Sequence, residues 1–206
     1  MHGESAIRDE AVVMHRGDAG ESHWRYTLLT AGHGWVAPLR RKPGKRPQRS
    51  APPDLFEYGE IWIPAARSGT PSVLEEFRPV RSHRALAGRP EAFAAAARLA
   101  NLMRLNLEHS ESTEGALRLL LETLEALCTR PRPDAAVFKA LYRLARDEGH
   151  PVREEWATDL TEANRTAARR LLRQPLDAID TPVESVQAVT HSLLLYLSGN
   201  CHWRLT

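Results

Sequence analysis

Six cations crowd into ten residues, Arg40-Arg41-Lys42-Pro43-Gly44-Lys45-Arg46-Pro47-Gln48-Arg49, with no acid among them. Clustered guanidinium and ammonium groups pair with phosphate oxygens, so the chemistry this run can do is to hold a polyanion. Pro43, Gly44 and Pro47 keep it from being the exposed face of an intact helix. It reads as a basic loop hung between strands. The net charge of +2 hides it: residues 1–85 carry 13 Lys and Arg against 10 Asp and Glu, and residues 86–206 carry 15 against 16. Without the run the first part would be acidic. A positive field this local steers a polyanion to one face.

Other chemistries fail on spacing. A phosphate-binding loop needs G-x-x-x-x-G-K-[ST], but Gly44-Lys45 is followed by Arg46 and position 39 is leucine. Nine histidines are scattered without an H-x-x-x-H pair, and Cys128 and Cys201 form no C-x-x-C, so four zinc ligands at workable spacing are missing. No G-x-S-x-G elbow marks a serine nucleophile. Glu75-Glu76 and Glu154-Glu155 are adjacent pairs, and strand neighbours point to opposite faces, so both read as solvated charge. The sequence predicts a binding protein rather than an enzyme, with no metal and no cofactor. The polar N-terminus and the shortness of Leu193-Leu194-Leu195-Tyr196-Leu197 predict a soluble, cytoplasmic chain with two unpaired thiols.

The elements that must carry the loop fall in two blocks. Ala11–His15, His23–Thr30, Trp35–Leu39, Leu55–Ile63 and Ser72–Val80 read as strands. Within the second, Trp24, Tyr26 and Leu28 alternate with Arg25 and Thr27. Five short strands in about 75 residues fit a small closed barrel of the OB type, with an SH3-like barrel as the competing form. Trp24, Tyr26, Trp35, Phe56, Tyr58 and Trp62 lie near the loop, and those that face outward are able to stack on bases.

After about residue 88 helical periodicity takes over. Pro90–Leu107 is alanine-rich and apolar on several sides, which predicts a central helix. Thr113–Cys128 carries a stripe of Leu117, Leu120, Leu121, Leu124, Leu127 and Cys128. Asp134–Asp147 is ended by Gly149, and a fourth helix covers Glu162–Arg173. The last is opened by a capping box, with Thr181 as N-cap, Pro182 at N1 and Glu184 at N3. The expected architecture is α+β: a five-stranded barrel domain over residues 1–82, then an α-helical domain over 83–206.

From about Glu10 to Trp156, and more weakly beyond, the chain resembles the RecO family of bacterial DNA-repair and recombination mediators. The resemblance lies in the order of loose motifs. They are Glu10-Ala11-Val12-Val13, Gly20-Glu21, and Thr27-Leu28-Leu29-Thr30-Ala31-Gly32-His33-Gly34. Next come Trp35 to Lys42 with Ser50, Leu55-Phe56-Glu57-Tyr58, and Leu74-Glu75-Glu76. Leu117 through Leu127 and Phe138 through Ala145 with Gly149-His150-Pro151 complete the series. The resemblance implies an OB-fold followed by helices, binding of single- and double-stranded DNA without sequence choice, strand annealing and recombinase loading. It also implies a RecR-type partner and the C-terminal tail of single-stranded DNA-binding protein. It places the DNA contacts on Arg40, Arg41 and Lys42, and local charge extends them to Lys45, Arg46 and Arg49. An acidic, aromatic-ended tail calls for an apolar pocket rimmed by cations, for which Arg130, Arg132, Lys139 and Arg143 beside Phe138 and Leu141 are the candidates. Where many members carry four zinc cysteines, Trp156 stands near the first, so that segment is expected to be held by apolar contacts. The alternatives outside the family are an OB-fold adaptor and an RNA-binding module without annealing activity.

Overall fold

The computed structural model describes residues 6–44, 50–66, 70–107 and 113–205. It is mixed α and β, with six strands in one antiparallel sheet and six helices. The chain divides into two compact units. One is 1–84 with 110–117; the other is 85–109 with 118–206.

In the first unit, β1 (Ile7–Ala19) is the long central strand, pairing with β2 (His23–Thr30) on one side and β5 (Tyr58–Ile63) on the other. β3 (Trp35–Val36) and β4 (Leu39–Arg41) both pair with β2, and β6 (Glu76–Arg81) pairs with β5. The single expected third strand is therefore two. Pro38 has no N–H to give the ladder, and the pairing breaks around it while its carbonyl still accepts from Tyr26 N at 3.0 Å. The expected fifth strand also divides. Ser72–Leu74 turns to the opposite edge, where Leu39 N donates to Ser72 O at 2.9 Å and Leu74 N to Leu39 O at 2.8 Å, a single parallel bridge to β4. Only from Glu76 does the chain join β5.

The core follows strand parity. Ala11, Val13, Tyr26, Leu28, Ile61, Ile63, Leu74 and Phe77 form one buried cluster, with Ile7, Trp24 and Val36 packed against it. β5 begins later than the expected Leu55. Phe56 is buried at φ 61°, outside the usual β region, and ties to β1 through its N–H to Val13 O at 2.9 Å. His83 Nδ1 lies 2.7 Å from Phe56 O and fixes the turn from behind. No glycine marks this turn, so residue type gives no warning of it.

In the second unit the helices are α1 (Pro90–Asn106), α2 (Thr113–Thr129, whose first turn belongs with the sheet), α3 (Pro133–Asp147), α4 (Ala157–Asp159), α5 (Glu162–Arg173) and α6 (Val183–Asn200). The centre is α3 rather than α1. α3 packs on α1, α5 and α6 and buries Val137, Phe138, Leu141 and Leu144. Ala92, Ala96 and Ala100 of α1 are buried with Leu99, Leu102 and Met103, while Ala94 and Phe93, the latter at 40%, are exposed, so α1 turns one face inward and the other to solvent. Leu117, Leu120, Leu124 and Leu127 of the expected α2 stripe are buried. Gly149 ends α3 at φ 83° as expected.

The capping box does not form. α6 starts after Pro182, and the Thr181 hydroxyl is buried without a hydrogen-bond partner among the described residues. Thr161 instead caps α5, accepting from Asn164 N at 3.3 Å. Trp156 is buried against Phe138 and Tyr142, with ring centroids at 6.2 and 6.0 Å, and donates from Nε1 to Ser192 Oγ at 3.1 Å. Cys128 and Cys201 are not joined in a disulfide. No helix among the described residues is long and apolar enough to cross a membrane.

Two consequences are measurable. A Cβ at Gly59 would press into the carbonyl oxygen of Arg78 and lie 2.9 Å from Phe77 Cζ. Gly59→Ala should therefore cost about 1–3 kcal/mol in a urea melt, the usual range for overpacking. Asp9 Oδ2 accepts from Gly32 N at 2.8 Å and lies 2.8 Å from His33 Nδ1, joining β1 to the β2–β3 turn. Burial pushes the Asp9 carboxyl up, but hydrogen bonds from His33, Gly32 N–H and Glu10 N–H, with the His33 charge, outweigh it and leave it below its ordinary value. A depressed carboxyl stabilises the fold above its unfolded pKa, and that stability is lost as pH falls through the folded one. Acid melts of wild type and Asp9→Asn should converge at the low end and separate above it, with wild type the more stable.

Candidate nucleic-acid interface

β1, β2 and β4 bring three rows of residues into register at one end of the sheet. Asp18, Trp24 and Arg40 lie opposite one another, as do Gly17, Arg25 and Leu39, and Ala19, His23 and Arg41. Directly paired residues share a face, and successive residues alternate. The row of Trp24 and Arg40 faces the same way as the core residue Tyr26. The rows of Arg25 and of His23 and Arg41 face outward.

Strand parity therefore corrects the expectation for Arg40. It lies on β4 rather than in the loop and is only 3% exposed. Its guanidinium donates to the Ser50 carbonyl, to Ser50 Oγ at 3.1 Å and to Ala51 O at 3.2 Å. Its Nε and Nη1 are buried without a hydrogen-bond partner among the described residues. Burial lowers its pKa from the ordinary arginine value, with the Tyr26 phenol opposing. From this position Arg40 holds the returning end of the basic run, not a phosphate.

Arg41 is exposed on the outer face. Lys42 extends the strand, donating its N–H to Ser22 O at 2.8 Å, while its Nζ lies 2.7 Å from Asp18 Oδ1 and 3.2 Å from Gly20 O. The hydrogen bond from Lys42, and then its charge, lower the pKa of Asp18. Lys45, Arg46 and Arg49 lie outside the described residues.

Two arginines that the charge run does not include join this end of the sheet. Arg25 is exposed beside the Arg41 row, and the alternation of β2 was enough to place it outward. Arg16 is exposed and sits over the Trp24 ring, 5.0 Å from its centroid. Of the aromatic candidates, Tyr26 and Phe56 are core, while Trp24, Trp35, Tyr58 and Trp62 are half-buried. Arg8 covers Trp62 at 4.5 Å.

The candidate tail-binding residues do not gather as expected. Phe138 and Leu141 are fully buried and belong to the α3 core, so they form no pocket wall. Arg130 pairs with Asp177, and Arg132 holds Asp134 through two bonds at 2.9 and 2.8 Å. Lys139 donates to the Gln174 carbonyl, and burial lowers its pKa. Arg143 pairs with Glu122 at 2.7 Å. Lys139 and Arg143 do share a cleft of about 460 Å³ with Leu119, Tyr142, Arg146 and Leu176.

Arg40 and Arg41, neighbours in the charge run, should behave oppositely. Arg40→Ala removes three part-buried hydrogen bonds of a buried side chain and should cost about 2 kcal/mol or more, whereas Arg41→Ala should stay within about 0.5 kcal/mol, both read from urea midpoints.

No family model matches the chain, and no curated protein matches it.

Proposed function

We propose that the sheet unit is an OB-type barrel that binds DNA strands across β2 and β4. On this reading the chain works as a recombination mediator of the RecO kind, bringing complementary strands together without covalent chemistry. The strand order supports the barrel: β4 pairs β2, β2 pairs β1, β1 pairs β5 and β5 pairs β6, and the segment leading into β6 touches β4 through a single bridge from Val73 to Leu39. Strands 2 and 3 of an OB-fold carry its nucleic-acid face, and here the equivalents are β2 and the split β3–β4.

The observation that carries the reading is the pair of outward rows that hold Arg25 and, beside it, His23 with Arg41, with Lys42 at the strand end and the basic run continuing from it in sequence. These groups meet phosphates without reading bases, which suits a protein that must accept any sequence. Each phosphate contact releases counterions, and neutralising two strands on one surface removes the repulsion that keeps them from pairing. Lys42 is shared with Asp18, so a phosphate must compete with a carboxylate there. Of the expected tail-binding residues, Lys139 and Arg143 remain available to line a partner cleft. An acidic tail would have to displace Glu122 from Arg143 and the Gln174 carbonyl from Lys139.

The test is a salt series of fluorescence anisotropy with labelled single-stranded DNA, on wild type and Arg25→Ala/Arg41→Ala/Lys42→Ala. Arg40 is left in place, because its loss unsettles the fold. Three lost contacts should lower the salt slope by about 2, at ~0.7 each on single strands. Binding that ignores salt, or a triple variant that binds like wild type, rules the reading out. RNA of the same length, run alongside, separates a DNA mediator from an RNA-binding module.

A further inference from the structure

The helical unit holds a second concentration of positive charge that no part of the reading above uses. A cleft of about 770 Å³ lies between α5, the turn at Val152–Trp156 and α3, lined by Arg153, Arg165, Arg169 and Arg173 and, among the described residues, by no acid. Arg165, Arg169 and Arg173 are spaced four apart on α5. They therefore stand in one row, with about 6 Å between successive positions along the axis. Ala168 and Leu171 are buried, which fixes the helix in rotation and holds the row at the cleft.

The four arginines are not equivalent. Arg165 is a structural clamp: its Nε lies 3.3 Å from Ala157 O, its Nη2 2.8 Å from both Thr158 O and Leu160 O, and its Nη1 3.1 Å from Glu162 Oε2. It shapes the wall by capping the carbonyls that end α4. Arg153, Arg169 and Arg173 are exposed, and among the described residues none of their side chains has a hydrogen bond or an ion pair. Tyr142, half-buried and backed by Trp156 and Phe138, forms the aromatic part of the lining. The neighbouring cleft at Lys139 differs in kind, because Glu122 neutralises Arg143 there.

We propose that this cleft is a second nucleic-acid contact, in which Arg153, Arg169 and Arg173 hold consecutive phosphates of a single strand beside Tyr142. Three unneutralised guanidiniums within one cleft call for contiguous negative charge, and a strand supplies one charge per nucleotide at a spacing close to that of the arginine row. A guanidinium fork also meets a phosphate with two parallel hydrogen bonds. The inference rests on the strand-binding reading for its choice of a strand over other polyanions, and it gives the chain a separate place to hold one.

The test uses the full chain with labelled oligothymidylate. Arg153→Gln/Arg169→Gln/Arg173→Gln removes charge from exposed side chains that make no hydrogen bond or ion pair among the described residues, so its melting temperature should match wild type. Its salt slope should fall by about 2, for three contacts at ~0.7 each. Oligothymidylate should also protect these arginines from an arginine-selective dicarbonyl reagent. An unchanged slope overturns the proposal, as does loss of protection. So does a cleft that binds polyglutamate or a mononucleotide while oligothymidylate fails to displace it. The Arg25/Arg41/Lys42 variant separates the two sites. If it binds like wild type while the cleft variant is weakened, the sheet reading fails and the cleft stands; the reverse result removes the cleft alone.

Discussion

The buried guanidinium of Arg40 is the constraint on which the positive end of the sheet depends. It reaches from β4 to Ser50 and Ala51, and Ser50 Oγ in turn accepts from Phe77 N of β6 at 3.0 Å. One side chain thus ties the two ends of the basic run to each other, and the shared serine ties them to the far strand. Burying a cation is costly unless its donors are met, and two of its nitrogens are left without partners among the described residues. The cost is tolerated where the arginine is over-determined by its neighbours: Trp24 across the ladder, Tyr26 beside it, and Pro38 two residues before it in the chain. The consequence for function is a division of labour within three consecutive cations. The first anchors, the second faces outward, and the third is shared with an acid.

Much of the architecture was legible because it is written in apolar spacing. The alternation of Trp24, Tyr26 and Leu28 fixed β2 and its inward face, and the leucines of α2 fixed its stripe. What failed was whatever depends on partners distant in sequence. A charge run looks like a loop until the pairing of Arg40 with Trp24 shows that it begins inside a strand. Phe56 takes a left-handed turn because β1 and His83 hold it there, not because of its residue type. Thr181 has the right neighbours for a cap, but its hydroxyl is buried, and the helix starts past Pro182. In α1 it was Phe93 that misled, since an aromatic reads as core but here lies 40% exposed.

The candidate site was half legible for the same reason. Arg41 and Lys42 are read directly from composition. Arg25 required only strand parity, applied to a polar residue instead of an apolar one. The arginines of α5 recur every fourth residue in plain view, but the cleft they line exists only because Val152–Trp156 folds back toward that helix. Where Trp156 stands, indole packing on Phe138 and Tyr142 gives the segment a core of its own, and Arg165 binds the carbonyls that follow it.

Pro38 has a further effect through what it denies to neighbours. It breaks one margin of the sheet into pieces of two and three residues, each too short to template another chain. The other margin, β6, carries Pro79 between Arg78 and Val80, with Arg81 beyond. Short pieces, proline and like charge are the devices by which sheets resist edge-to-edge joining. Two copies of this protein can therefore meet without their sheets fusing edge to edge. Their encounters are left to faces and clefts, where contacts are reversible.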